Sequence, residues 1–395
     1  MKFPFSFWGV PSGRVIAKRS VATDPHAAIK VATASTVDWG DGTPLEAATA
    51  NVQLNHVYTA LGEMTVTITA DAPHPINPDL SLKHPASTAT DAGWKEVTIR
   101  DPHMTTFTVK PTATLRTLHV LGLNQWKVPD TFNNFNRTPG IEEIVIDSFL
   151  PTSNPLALCV GNTNLKRFTC LQPATKSIPY AFQDCKSLES ILWDVSQSPS
   201  VGSMFQGANL LFNPVFDLPE TTTIDSMFRN ATGMTSITVT GTRKATRGDF
   251  FLGAGSSPVV TVNRMDLDSM TKGDSMFRSA HMVNHPGYIG ELTQDVSAMF
   301  YGCSLLETIG DIGMANVTNA NQLFFGCPKL RSFTLRGLKV SVSVNAMSLD
   351  ATALDAVFTS LGTANAGATI NITGNPGAAT CNKAIATAKN WAVTG

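Results

Sequence analysis

The stretch "MFYGCSLLETIGDI", Met299–Ile312, has close relatives at "AFQDCKSLESILWDV", which begins at Ala181, and at "LFFGCPKLRSFTLRG", which begins at Leu323. Each places an aromatic residue, then Cys, then Leu, then Ile or Phe at three-residue intervals: Phe300, Cys303, Leu306 and Ile309 in the first. Equivalents of the aromatic fall at Phe135, Cys159, Phe182, Phe205, Phe228, Phe251, Phe277, Phe300 and Phe324, with steps of 24, 23, 23, 23, 23, 26, 23 and 24. Val109 is a degenerate first member. The sixth residue after each anchor is usually aliphatic (Ile141, Leu165, Leu188, Leu211, Met234, Leu306, Leu330), and the ninth often is (Ile144, Phe168, Ile191, Ile237, Ile309, Phe333). The copies at Phe251 and Phe277 are poorer there, with Ser257 and Val260 in one and Val283 and Pro286 in the other.

A period of this size is the signature of a solenoid. One copy has too few apolar side chains to offset the entropy of ordering its backbone, so copies must stack and pair with neighbours. Alternation after the ninth residue predicts one extended segment per copy with one side inward. The anchor half, rich in Gly, predicts a short bend or a single helical turn on the opposite side. An array of long helices is disfavoured, because Gly207, Pro214, Gly302, Gly310 and Pro328 would interrupt them.

The words "AFQDCKSLESI" resemble the BspA-like leucine-rich repeats of surface proteins. The Met-Phe copies (Met204-Phe205, Met227-Phe228, Met276-Phe277, Met299-Phe300) are similar to repeats in bacterial surface lipoproteins. The resemblance covers roughly residues 105–347. In this frame the outward strand positions are Arg167, Ser190, Asn213, Ser236, His285, Thr308 and Ser332 at eight residues past the anchor, and Thr169, Thr238 and Thr334 at ten. These ten residues form the candidate binding strip, for a sugar or a protein, with plain solvated surface as the competing expectation.

Upstream, "STVDWGDGTP" (Ser35–Pro44) alternates Val37 and Trp39 into a Gly40-Asp41-Gly42 turn, a hairpin signal. Alternation resumes at Met64, Val66 and Ile68, and "WKEVTIRD" supplies a last strand. Together they predict a small antiparallel sandwich over residues 24–101. V-x-W-G-D-G-T followed by H-x-Y-x-x-x-G-x-x-x-V-T-I resembles the PKD-type immunoglobulin-like domain, which implies a spacer or adhesive module. Asp41 is expected to serve its turn by side-chain hydrogen bonding rather than to pair with Asp38 on a metal.

From Ser348 the period stops, and residues 348–395 are expected to cap the solenoid. "LDATALDAVFTSLG" carries apolar residues at helical spacing, "ATINITG" reads as a strand, "AATCNKAIATAKN" as a second helix and "WAVTG" as a last strand. The run "ITGNPGAATCNKAIATAKNWAVT" resembles the closing module of some bacteriophage virion proteins. "FPFSFW" is similar to their openings. It marks residues 1–23 as a docking segment, with Phe3, Phe5, Phe7 and Trp8 as the docking side chains.

The 395 residues carry a formal net charge of −1 and no basic run, which gives no electrostatic case for nucleic acid. No apolar stretch reaches bilayer-spanning length, so no membrane insertion is expected. The opening segment has neither the apolar run nor the cleavage site of a secretory signal. Six cysteines include no C-x-x-C pair and read as small buried thiols. His281 and His285 lack the glutamate of a zinc-protease helix, Gly253 and Gly255 lack the third glycine of a nucleotide loop, and no G-x-S-x-G elbow occurs.

The expectation is therefore a mainly β chain: an immunoglobulin-like sandwich, a leucine-rich-repeat-type solenoid over residues 102–347, and an α/β cap. No cofactor, metal or catalytic residue is expected. The expected role is a non-enzymatic virion structural protein, a fibre-like or decoration component of tail, neck or head. It would be assembled in the host cytoplasm, multimeric in the particle, bound to other virion proteins through its N-terminus and presenting its solenoid to a host glycan or protein. The alternatives are a BspA-like cell-surface adhesin and, third, a glycan-degrading enzyme.

Overall fold

A computed structural model describes residues 14–21, 25–60, 62–71, 76, 78–80, 85, 94–100, 114–121, 140–146, 158–218, 222–240, 250–251, 261–265, 273–282, 284–285 and 290–395. The chain forms two compact units, Met1–Pro173 with Cys185–Asp194, and Ala174–Asp184 with Val195–Gly395. The expected docking residues Phe3, Phe5, Phe7 and Trp8, and Val109, lie outside the described residues.

The first unit begins with seven strands: β1 (Arg14–Ser20), β2 (His26–Lys30), β3 (Ser35–Asp38), β4 (Glu46–Ala48), β5 (Gln53–Val57), β6 (Glu63–Ala70) and β7 (Trp94–Arg100). β1 lies between β6 and β7, antiparallel to both, and β3 joins β6 to β4. β2 and β5 form a second antiparallel sheet. Period-two alternation buries Val15 and Ala17, Met64, Val66 and Ile68, and Val97 and Ile99. Gly40 and Gly42 both have left-handed φ, and a Cβ at Gly40 would lie 2.3 Å from the carbonyl oxygen of Thr65, so that turn admits only glycine.

β7 also pairs in parallel with β8 (Thr117–Leu121), so the sandwich strand is continuous with a second, parallel ladder. β9 (Glu143–Ile146), β10 (Arg167–Cys170) and β11 (Ser190–Trp193) follow in register, with Thr117, Glu143, Arg167 and Ser190 level. Thr117 lies eight residues past Val109, as Glu143 does past Phe135, so β8 sits where a turn anchored at Val109 would place it. Leu118, Ile144 and Phe168 stack inward.

The second unit continues the repeat through β12 (Val215–Asp217), β13 (Ser236–Thr240), β14 (Thr261–Met265), β15 (Asn284–His285), β16 (Gly290–Asp295), β17 (Thr308–Asn319), β18 (Ser332–Arg336) and β19 (Val342–Ser343). Its sheets are parallel: β12–β13–β14, then β15–β17–β16 with β18 on β17. The solenoid has about nine turns.

Phe182, Phe205, Phe228, Phe251, Phe277, Phe300 and Phe324 form one buried column. Successive rings are 5.8, 5.4, 5.5, 5.6, 5.3 and 5.7 Å apart and within 22° of parallel. Offset stacking at this spacing is favourable beyond the burial itself. From Phe182 to Phe300 the amide of the anchor donates to the carbonyl one residue before the next anchor, as in Phe205 to Met227 and Phe277 to Met299, both 2.9 Å.

Among the described residues the bend around the anchor contains no helical turn, where the Gly-rich half left that choice open. In the bends at Phe205, Phe228, Phe277, Phe300 and Phe324, three overlapping β-turns run through it: around Phe300, Met299 donates to Val296, Tyr301 to Ala298 and Cys303 to Phe300. The residues two before and two after the anchor are left-handed: Ser203 and Gly207, Ser226 and Asn230, Ser275 and Ser279, Ala298 and Gly302, Gln322 and Gly326. A type II turn puts its third residue in that region. Around Phe300 the amides of Ala298, Phe300 and Gly302 instead donate across to Asn321, Leu323 and Phe325. Every second amide therefore closes a turn and every other one joins the next coil, which satisfies the backbone without a helix.

One rung departs from the predicted phase. Leu211, expected inward, is 56 % exposed, and Leu210 is buried in its place. Asn209 bridges Thr232 and the Leu210 amide donates to Thr232, which advances the inward position by one residue.

The closing segment has the expected order, with α1 (Ala351–Ser360), β20 (Thr369–Asn371), α2 (Ala384–Thr387) and β21 (Ala392–Thr394). Asp350 caps α1 by accepting the Ala353 amide at 2.8 Å. The second helix is only four residues long, since turns closed by Gly377 occupy the first part of its predicted span. β19, β20 and β21 pair in parallel as a separate three-stranded sheet, and α1 follows where the next bend would fall.

Candidate binding ridge

In each unit the described residues of the predicted strip lie on or beside paired strands, and several of their polar groups are engaged by neighbouring residues. In the first unit Arg167 lies level with Ser190 and Thr169 with Leu192. Arg167 Nη2 is 2.7 Å from Glu143 Oε2, and its Nη1 is 3.6 Å from Glu189 Oε2. His119 Nε2 stands 3.5 Å from the other oxygen of Glu143. That contact is the largest influence holding the Glu143 carboxyl at about 2; burial opposes it and Arg167 adds to it. In the second unit Asn213 Oδ1 accepts the Thr235 and Ser236 amides, both at 2.9 Å, and Thr308 Oγ1 donates to Asn284 Oδ1 at 2.9 Å. Ser332 is level with Thr308, and Thr334 Oγ1 donates to Asp311 Oδ1 at 2.7 Å. Ser236 and Thr238 lie beside β14.

His285 leaves the predicted column. Asn284 pairs with Thr308, so His285 pairs with Ile309, a level that the other coils fill with inward residues. The longer step before Phe277 carries no such signal in the sequence, since the shift arises inside a copy whose sixth and ninth places are poor.

A second face was not anticipated. In the described bends of the second unit the residue after the anchor points away from the core, because consecutive bend residues face opposite sides: Phe300 is fully buried while Tyr301 is half-buried. This column contains Gln183, Gln206 and Arg229, and further along Arg278, Tyr301 and Phe325. The Arg278 guanidinium lies over the Tyr301 ring, 4.7 Å from its centroid. The other face of the stack continues with Phe325 at 5.1 Å and 20°. Ser279 donates to the Tyr301 carbonyl and Gly302 to that of Phe325, both at 2.7 Å, so the backbone holds the three in register. Phe325 is 54 % exposed. The signal for it was the doubled aromatic in Phe300-Tyr301 and Phe324-Phe325, where the copies at Phe182, Phe205, Phe228 and Phe277 carry Gln or Arg second.

Cation–π contact and ring stacking hold these three side chains in place. Several titratable groups elsewhere are engaged in the fold. Asp38 Oδ1 accepts the Gly40 amide at 2.9 Å, and Asp41 accepts from the amide and hydroxyl of Thr43 and faces His56 Nε2 at 2.9 Å. His56 in turn stacks on Trp39 at 4.6 Å. Cys185, Cys303 and Cys327 donate to the carbonyls of Cys159, Phe277 and Phe300 at 3.1, 2.9 and 3.0 Å. Burial pushes the Cys159 and Cys303 thiols well up. Among the described residues no group of three or more His, Cys, Asp or Glu is placed to hold a metal, and no helix is long and apolar enough to cross a membrane.

Residues 175–291 and 259–334 match the family DUF285, described as "Mycoplasma protein of unknown function". Both spans lie in the repeat region, which is thus similar to that family in sequence and a solenoid in structure. Comparison with curated proteins and with solved structures finds no match.

Proposed function

We propose that the chain is a non-enzymatic display protein of a bacteriophage particle, a fibre-like or decoration component of tail, neck or head. It presents its solenoid to a host-surface glycan or protein. The observation that carries the binding role is the ordered Arg278–Tyr301–Phe325 stack on the outer side of a continuous Phe column. Aromatic and Arg side chains dominate binding energy at interfaces, and here they sit on a rigid element. The sandwich, continuous with the ladder through β7 and β8, suits a spacer. The virion assignment rests on the likeness of residues 372–394 to modules that close virion proteins, and the PKD-like motif fits a projecting stalk. Mass spectrometry of purified particles tests it. The protein should be recovered at stoichiometric abundance, and its absence from every preparation would overturn the assignment.

The DUF285 match favours a second reading, a BspA-like adhesin on a bacterial surface. Protease shaving of intact cells separates the two: an adhesin is clipped from cells that carry no particles. Both readings predict no release of sugar from host polysaccharide.

A further inference from the structure

We infer that the open face of Phe325 is a stacking platform for one saccharide ring; this rests on the display role proposed above. The Arg278–Tyr301–Phe325 ladder ends at Phe325. The next coil starts α1, and its corresponding residue, Leu349, is fully buried, so no further ring caps the stack. Phe325 is accordingly 54 % exposed on a bend whose other exposed residues are polar or small: Asn321, Gln322, Gly326, Pro328 and Lys329.

The size of the feature selects the occupant. A stable protein partner covers about 800 Å² per side around a fully buried apolar centre. Among the described residues of this unit the other exposed large apolar side chains, Tyr180, Leu211 and Val215, belong to other coils and do not extend the ridge. One phenyl face bordered by amides and a lysine is instead the size of one pyranose. The electron-rich face of the ring attracts the polarised C–H bonds on the flat side of a sugar. The flanking amides then offer hydrogen bonds to its hydroxyls. Tyr301, clamped between Arg278 and Phe325, fixes the platform, so little ordering entropy is lost on binding. A single ring contact is weak, and copies in one particle would add avidity.

The test is saturation-transfer NMR on the full chain with methyl β-glucopyranoside, methyl β-galactopyranoside and diacetylchitobiose as probes. The expected result is transfer to the ring C–H protons of at least one probe. Phe325→Ala should weaken binding about tenfold, equivalent to about 1.4 kcal/mol, with an unchanged far-UV spectrum, and Phe325→Trp should retain it. No transfer from any probe, or transfer that survives Phe325→Ala, overturns the inference. Should Phe325→Ala abolish attachment of the protein to host cells while the sugars show no transfer, the saccharide is wrong and the display role stands. Should attachment be unaffected by Phe325→Ala while a sugar still binds wild type alone, the platform stands and attachment runs through another face; absence of the protein from particles and from cell surfaces alike is what sinks the display role.

Discussion

The amide of Phe300 donates to the carbonyl of Leu323 at 2.9 Å, and the ring of Phe300 lies 5.7 Å from that of Phe324. Backbone and side chain thus repeat the same step, and each coil is held by the next through both. Phe300 has ring neighbours on two sides, Phe277 and Phe324, and no exposed surface. Phe300→Ala should therefore cost about 3–5 kcal/mol. Phe325→Ala, one bend along and facing outward, should cost less than about 1 kcal/mol. Urea unfolding monitored by far-UV circular dichroism checks both. Equal losses in the two variants would show that the column is not the core.

The left-handed positions give a second prediction. Gly326 has φ +76 and a Cβ there would meet Gly302 at an ordinary 3.4 Å, whereas at Gly302 it would come 3.1 Å from Ser279 Oγ. Gly326→Ala should cost only the left-handed conformation, about 1–2 kcal/mol. Gly302→Ala should cost more, because the Ser279 hydroxyl must also give way. Thermal melts that rank Gly326→Ala as the more damaging of the two would contradict the turn geometry.

The column, the inward strand positions and the cap order were legible because each rests on spacing: Phe182, Phe205, Phe228, Phe300 and Phe324 recur at nearly constant intervals, and apolar periodicity survives in sequence. What was not legible depends on the backbone. Left-handed Ser203, Ser226, Ser275 and Ala298 carry no residue-type signature, unlike the Gly302 and Gly326 partners two places past the anchor. Without them the three-turn bend cannot be told from a helical turn. His285 was misplaced because a slip of register inside an irregular coil leaves the anchors untouched. The ridge was overlooked for another reason. Alternation marks strand residues, yet Arg167, Asn213 and Thr334 are engaged by their neighbours, whereas Phe325 stacks on Tyr301 with one face and leaves the other exposed.

In the sandwich, Asp41 ties its turn to the strand bearing His56. Burial alone would raise its carboxyl, but the hydrogen bonds from Thr43 and His56 outweigh this and hold it at about 2, below the ordinary 3.8. A carboxyl depressed in the folded state binds protons more readily when unfolded. Its contribution is present above pH 4 and is lost as pH falls through 2. The amount is about 2 kcal/mol. Asp41→Asn should lower the melting temperature at pH 6 and bring the melting curves of variant and wild type together near pH 2. A constant difference across that range would assign the loss to packing rather than to charge.

The Glu143–Arg167 pair tests whether the strand strip is more than a solvated ladder. The contact is short, yet the Arg167 side chain is 46 % exposed and already shared between Glu143 and Glu189. A half-exposed pair of this kind contributes about 0.2–1 kcal/mol, and salt screens it. A double-mutant cycle of Glu143→Gln and Arg167→Met should give a coupling energy in that range at low salt, reduced in half-molar sodium chloride. Because Arg167 is engaged within its own sheet, Arg167→Met should leave attachment to host cells or saccharides unchanged where Phe325→Ala reduces it. Loss of attachment in Arg167→Met alone would move the binding face from the bends to the strands.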